Sequence, residues 1–160
     1  MENFDAGRLW AVLLGGRDAC RTLVGAVLAL LSLASVAFLF GLPVRLYDFT
    51  GWLLVVPAIA VGGGLARAGL LPTVGSLWLV GVWGYAFPPL VGYLTGEWMG
   101  AGRYTTPRML MFAYGSARAE LLGGLETSVN AGLLLAVVLG TAGYAVGAGG
   151  RRLASYARSS

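Results

Sequence analysis

Two stretches without a single charge dominate this chain. Twenty-three residues separate Arg21 from Arg45, and twenty-nine separate Arg67 from Glu97. Runs of 18 residues after Asp48 and 24 after Glu126 complete a set of four. A helix rises about 1.5 Å per residue, so about 20 apolar residues cross a hydrocarbon layer about 30 Å thick. The shortest run ends at Arg67, whose long side chain can snorkel to the headgroups and extend the reach. Only 11% of the 160 residues are charged, against about 25% in soluble domains, and the mean hydropathy is +0.77. So little polar surface cannot clothe a water-soluble globule, and lipid must be the solvent for much of the chain.

The runs predict spans over about 22–42, 49–66, 74–95 and 127–148. The first exceeds the roughly 7–15-residue core of a signal peptide and has no small-x-small site before Pro43, so it is expected to remain as a span. Ahead of it, Leu9, Trp10, Leu13 and Leu14 fall near one helical face, with Asp5 as a candidate N-cap and Gly15-Gly16 as a stop. That pattern predicts a short N-terminal helix lying in the interface. Tyr47, Phe49 and Trp52 cluster at one span end, Tyr93 and Trp98 at another, where an aromatic belt belongs.

The segment 96–126 cannot span. It holds six of the eighteen charged residues: Glu97, Arg103, Arg108, Arg118, Glu120 and Glu126. Pro107 suits the first turn of a helix, after which Leu110, Tyr114, Ala117 and Leu121 share one stripe. The expected fold is therefore all-α and polytopic. It has four transmembrane helices in a single membrane domain, a short N-terminal interfacial helix, and a membrane-surface helix between spans 3 and 4.

Arginine counts predict the orientation. Seven arginines flank one side of a four-span chain and four flank the other, which puts both termini in the cytoplasm of a multi-pass cell-membrane protein.

Composition also restricts the chemistry. The chain has no histidine, no lysine and one cysteine, Cys20. Imidazole-dependent nucleophiles, Ser-Lys dyads, Schiff bases and Walker-type phosphate binding all lack a required residue. No metal site of clustered Cys or His can form, and no pair of acids has a metal-binding spacing. The chain is expected to be non-catalytic, without cofactor or metal. Its arginines are scattered around the spans and form no nucleic-acid face.

Small residues recur at helix-packing intervals, at Gly25/Ala29, Ala58/Gly62, Gly92/Gly96/Gly100, Ala136/Gly140 and Gly143/Gly147. They support a tight bundle, with the bilayer and either a membrane-protein partner or a second copy as the expected partners. The favoured function is a non-catalytic subunit or scaffold acting by helix packing. The alternative is a small transporter or lipid/anion-binding protein. Pro57 and Pro88-Pro89 would break two helices at matched depth below the outer surface and open an outward-facing pocket. Tyr85, Tyr93 and Asn130 would line it, and Arg108 and Arg118 would attract an anion at its mouth.

Overall fold

The computed structural model describes residues 6–98, 102–105 and 115–159. Its regular structure is helical throughout: α1 Ala6–Leu14, α2 Arg17–Leu39, α3 Trp52–Leu65, α4 Leu70–Thr95, α5 Ala117–Thr127, a π-turn Ser128–Gly132, and α6 Leu133–Ser159. Among the described residues, three stretches are long and apolar enough to cross a membrane: Leu9–Leu39, Leu70–Thr95 and Ala117–Arg158. The fourth apolar helix, Trp52–Leu65, has 14 residues and spans only about 21 Å by itself. The protein is thus an all-α, multi-pass membrane protein.

Helix boundaries follow local chemistry. Gly15 takes φ +65° and ends α1 at Leu14. Gly41 takes φ +91° after α2. Its N–H bonds to the Phe38 carbonyl, and the N–H of Leu42 bonds to Ala37. This double closure is a Schellman cap, in which glycine relieves the Cβ penalty of the left-handed position. The same closure ends α3, with Arg67 N–H on Gly64 and Ala68 N–H on Gly63. Here the left-handed residue is Arg67, at φ 60°.

The sequence predicts breaks at Pro57 and Pro88-Pro89. Instead, α3 runs through Pro57 and α4 runs through both later prolines. Each proline deprives the carbonyl four residues back (Leu53, Gly84 and Tyr85) of its helical donor. Membrane helices tolerate this where neighbours or local adjustment re-satisfy the freed group. Nor does the last apolar helix begin at 127. Ser116 caps α5, its hydroxyl accepting from the Ala119 N–H at 3.2 Å, and the helix continues from Ala117 into the π-turn and α6. Ala117 and Leu121 therefore begin this helix, while Pro107, Leu110 and Tyr114 lie outside the described residues.

The chain divides into two compact units. The first comprises Met1–Ala29, Leu53–Leu77 and Ala136–Ser160. It packs through small residues. A methyl group added at Gly64 would stand 2.2 Å from the Tyr144 carbonyl oxygen, and one at Gly147 would stand 2.1 Å from that of Val61. One at Gly143 would meet the Ala60 Cβ at 2.3 Å. These distances let α3 and α6 touch backbone to backbone. The Tyr144 hydroxyl donates to the Val12 carbonyl at 3.3 Å, and the Gly16 N–H donates to the Arg67 carbonyl at 2.9 Å. Arg151 closes the end of α3 by donating to the Gly64 and Leu65 carbonyls.

The second unit, Leu30–Trp52 and Trp78–Leu135, contains fourteen of the chain's eighteen aromatic residues, and several of these pack against one another. The Trp83 ring stacks on Phe87 at 5.7 Å and 15° and lies 5.5 Å from Trp52. Phe38 meets Phe87 edge-on at 5.7 Å. Trp52 is buried and its indole donates to the Val44 carbonyl at 3.0 Å. Its ring is part of this core.

Candidate functional site

The second unit gathers the polar groups best placed for chemistry or recognition. Tyr85, buried on α4, shares a hydrogen bond of 2.9 Å with the Tyr47 hydroxyl, which comes from the turn between α2 and α3. Beside Tyr85 lies the π-turn: a Cβ placed on Gly132 would sit 3.9 Å from the Tyr85 ring, and one placed on Gly81 would sit 3.7 Å from Gly132. Two glycines therefore bring α4 against the π-turn. Within it, the Ser128 carbonyl accepts from the Leu133 N–H and from the Trp78 indole at 2.9 Å. The π-turn disturbs the regular ladder, and the indole supplies an extra donor to it. Such turns recur at functional positions in helices.

One turn inside the capped end of α5 stands Glu120, with none of its surface exposed. It occupies the first turn, where the helix dipole favours an acid. A fully buried carboxyl at the start of a long apolar stretch is a candidate for function. The uncharged-run reading missed it, because it treated charge as the edge of the helix when α5 carries its charges inside.

At the end of α2, Arg103 reaches the Phe38 carbonyl with its guanidinium. It also lies 4.8 Å from the Phe38 ring centre and 5.1 Å from that of Tyr104. A cation there complements the negative helix end and the ring faces. Arg45 pairs with Asp48 and also donates to the Gly102 carbonyl at 3.2 Å. Tyr104 donates to Glu97 at 3.0 Å, which raises the phenol above its ordinary range; burial adds to the rise and the Arg103 charge opposes it. These ties hold residues 102–105 to the helix ends.

The residues predicted to form a pocket are distributed unevenly. Tyr85, Tyr93, Asn130, Arg118, Pro88 and Pro89 belong to the second unit, and Pro57 belongs to the first. Asn130 stands in the π-turn, two residues from the Gly132 that approaches Tyr85, and is exposed, as are Tyr93 and Arg118. Pro88 and Pro89 are fully buried, whereas Pro57 is exposed. Arg108 lies outside the described residues. Among the described residues no group of three acidic, cysteine or histidine side chains gathers in a metal-binding arrangement.

Comparison with family models, curated proteins and solved structures returns no match. Function is therefore read from the geometry.

Proposed function

We propose that this is a non-catalytic membrane subunit or scaffold that works by packing its helices against a partner helix or a second copy. One observation supports this reading: the small-residue pairs fall into two groups. Gly140, Gly143 and Gly147 are used inside the protein, against Val74, Ala60 and Val61. Gly25 on α2 and Gly62 on α3 have no neighbouring atom within 4 Å of where a Cβ would stand, and their partners Ala29 and Ala58 are exposed. Helices in lipid associate through van der Waals packing at such small-residue faces. The polar side chains fit the same reading, because Arg45, Arg103, Arg151 and the Tyr47–Tyr85 pair tie helices together.

The test compares Gly25→Leu and Gly62→Leu with wild type in mild detergent. The single-protomer fold should survive, since both positions open onto free space, while the assembly separates into protomers or loses its partner. Unchanged assembly size in both variants would overturn the reading.

A second reading, a small transporter or ligand-binding protein, draws support from the buried Glu120 and the π-turn beside Tyr85. Solute flux into liposomes holding the purified protein alone, lost in Glu120→Gln, is the result it requires. The arginine counts support a topology with both termini on the cytoplasmic side. In a Cys20→Ser background, Thr50→Cys should react with an impermeant maleimide from outside and Ser155→Cys only after lysis. The reverse pattern would invert the topology.

A further inference from the structure

The net charge of the chain resides in one unit. Seven arginines against three acids leave +4 in the first unit, whereas the second balances four against four. Backbone contacts bring three arginine-bearing segments of the first unit together. The Gly16 N–H on the Arg67 carbonyl sets the start of α2 beside the α3–α4 turn. Gly15 and Gly69 reinforce this: a Cβ on either would lie 2.3–2.4 Å from backbone atoms of the other segment. Arg151, bonded to Gly64 and Leu65, brings its neighbour Arg152 to the same end of α3.

Arg17, Arg21, Arg67 and Arg152 are all exposed, and among the described residues none of them pairs with a carboxylate. Arg17 and Arg21 lie one helical turn apart on one face. Asp18, also exposed, is the only acid of this unit among the described residues. Arg67 adds an independent indication. It holds the left-handed cap position that glycine ordinarily fills, so a charged side chain is kept there against the backbone preference. Strain of this kind clusters where a side chain has a task. Beside the edge, α1 exposes Leu9, Trp10, Val12 and Leu14, an apolar set suited to the acyl boundary just below the headgroups.

We propose that Arg17, Arg21, Arg67 and Arg152 form a docking edge for the phosphate of an anionic phospholipid, with α1 lying against its acyl chains. The chemistry is charge complementarity at the one level of a membrane protein where phosphate is abundant. Guanidinium groups bind phosphate through paired N–H donors.

The test uses purified protein in mild detergent, with short-chain phosphatidylglycerol, short-chain phosphatidylcholine and inorganic phosphate as separate probes. Binding is read by native mass spectrometry and thermal shift. Phosphatidylglycerol should bind and raise Tm, while the other two probes should do neither. Binding should weaken about fivefold for each arginine removed, and about a hundredfold in Arg17→Gln/Arg67→Gly/Arg152→Gln. Arg67→Gly alone separates fold from ligand, because lipid-free Tm should rise with relief of the left-handed strain while lipid affinity falls. The proposal fails if phosphatidylcholine or free phosphate binds as well as phosphatidylglycerol, or if the triple variant binds like wild type. Should the triple variant not fold, salt decides: binding by wild type that persists undiminished at about 1 M salt, where screening is nearly complete beyond about 3 Å, refutes it.

Discussion

The two units stabilise helix contacts in opposite ways. In the first, glycine removes side chains until backbones touch: Gly64, Gly143 and Gly147 allow α6 to lie directly on α3. In the second, large rings fill the space, with Trp83 stacked on Phe87 and tilted against Trp52, and its indole donating to Ser35 at 2.8 Å. Lipid tails are as apolar as leucine, so neither unit gains much by hiding hydrocarbon, and both depend on the quality of contact. Backbone contact has little capacity to adjust, whereas an aromatic cluster adds directed hydrogen bonds from indoles and phenols. The charge difference follows the same division, with the arginine excess on the glycine-packed unit and a balanced set on the aromatic one.

The largest effect should come from the aromatic side. Trp83→Ala removes a buried ring in contact with two others and should cost about 3–5 kcal/mol in reversible unfolding in detergent. A loss below about 1 kcal/mol would mean that the stack is incidental. Next is the glycine side. Gly147→Ala forces a methyl against the Val61 carbonyl and should cost about 1–3 kcal/mol. Gly25→Ala meets nothing within 4 Å and should stabilise the helix by about 0.5–1 kcal/mol. Equal responses at the two positions would erase the distinction between used and open glycines.

A smaller effect, with a telling sign, concerns the phenol pair. Tyr47→Phe leaves the buried Tyr85 hydroxyl without its partner and should cost about 1 kcal/mol or somewhat more. Tyr85→Phe should cost less, because Tyr47, at 60% exposure, can turn to other partners. The double variant should be no worse than Tyr47→Phe alone. The smallest effect is alkaline. Tyr104 has a raised folded value through its bond to Glu97, so its contribution is complete below about pH 10, the unfolded value, and fades as pH rises through the folded one. The alkaline decline in stability should be slightly shallower in Tyr104→Phe.

Much of the architecture was legible in the sequence. Uncharged runs located four apolar helices, and Gly15-Gly16 marked the end of α1. The runs measure hydrocarbon, however, and helices extend beyond it. Accordingly α2 starts at Arg17, ahead of the predicted 22, and α5 starts at Ala117, ten residues before the predicted span. Ser116 was a readable cap, but the apolar stripe through Leu110 and Tyr114 masked it. Of the residues predicted for the site, Asn130 falls in the π-turn and Tyr85 packs beside Gly132, and nothing in periodicity announces such a turn. Nor does composition reveal that Glu120 turns inward while Arg118, two residues away, turns out. Arg103 was legible only as a loop charge, because its partner is a main-chain carbonyl sixty-five residues away.

The central claim is that the open small-residue faces of α2 and α3 meet another helix in the membrane. Its most direct test is the mass of the assembly after gentle extraction in native lipid discs, read by native mass spectrometry. The account predicts a species heavier than one 16.6 kDa chain, reduced to that single chain by Gly25→Leu/Gly62→Leu. A wild-type protein that leaves its membrane as one 16.6 kDa chain, alone, would contradict it.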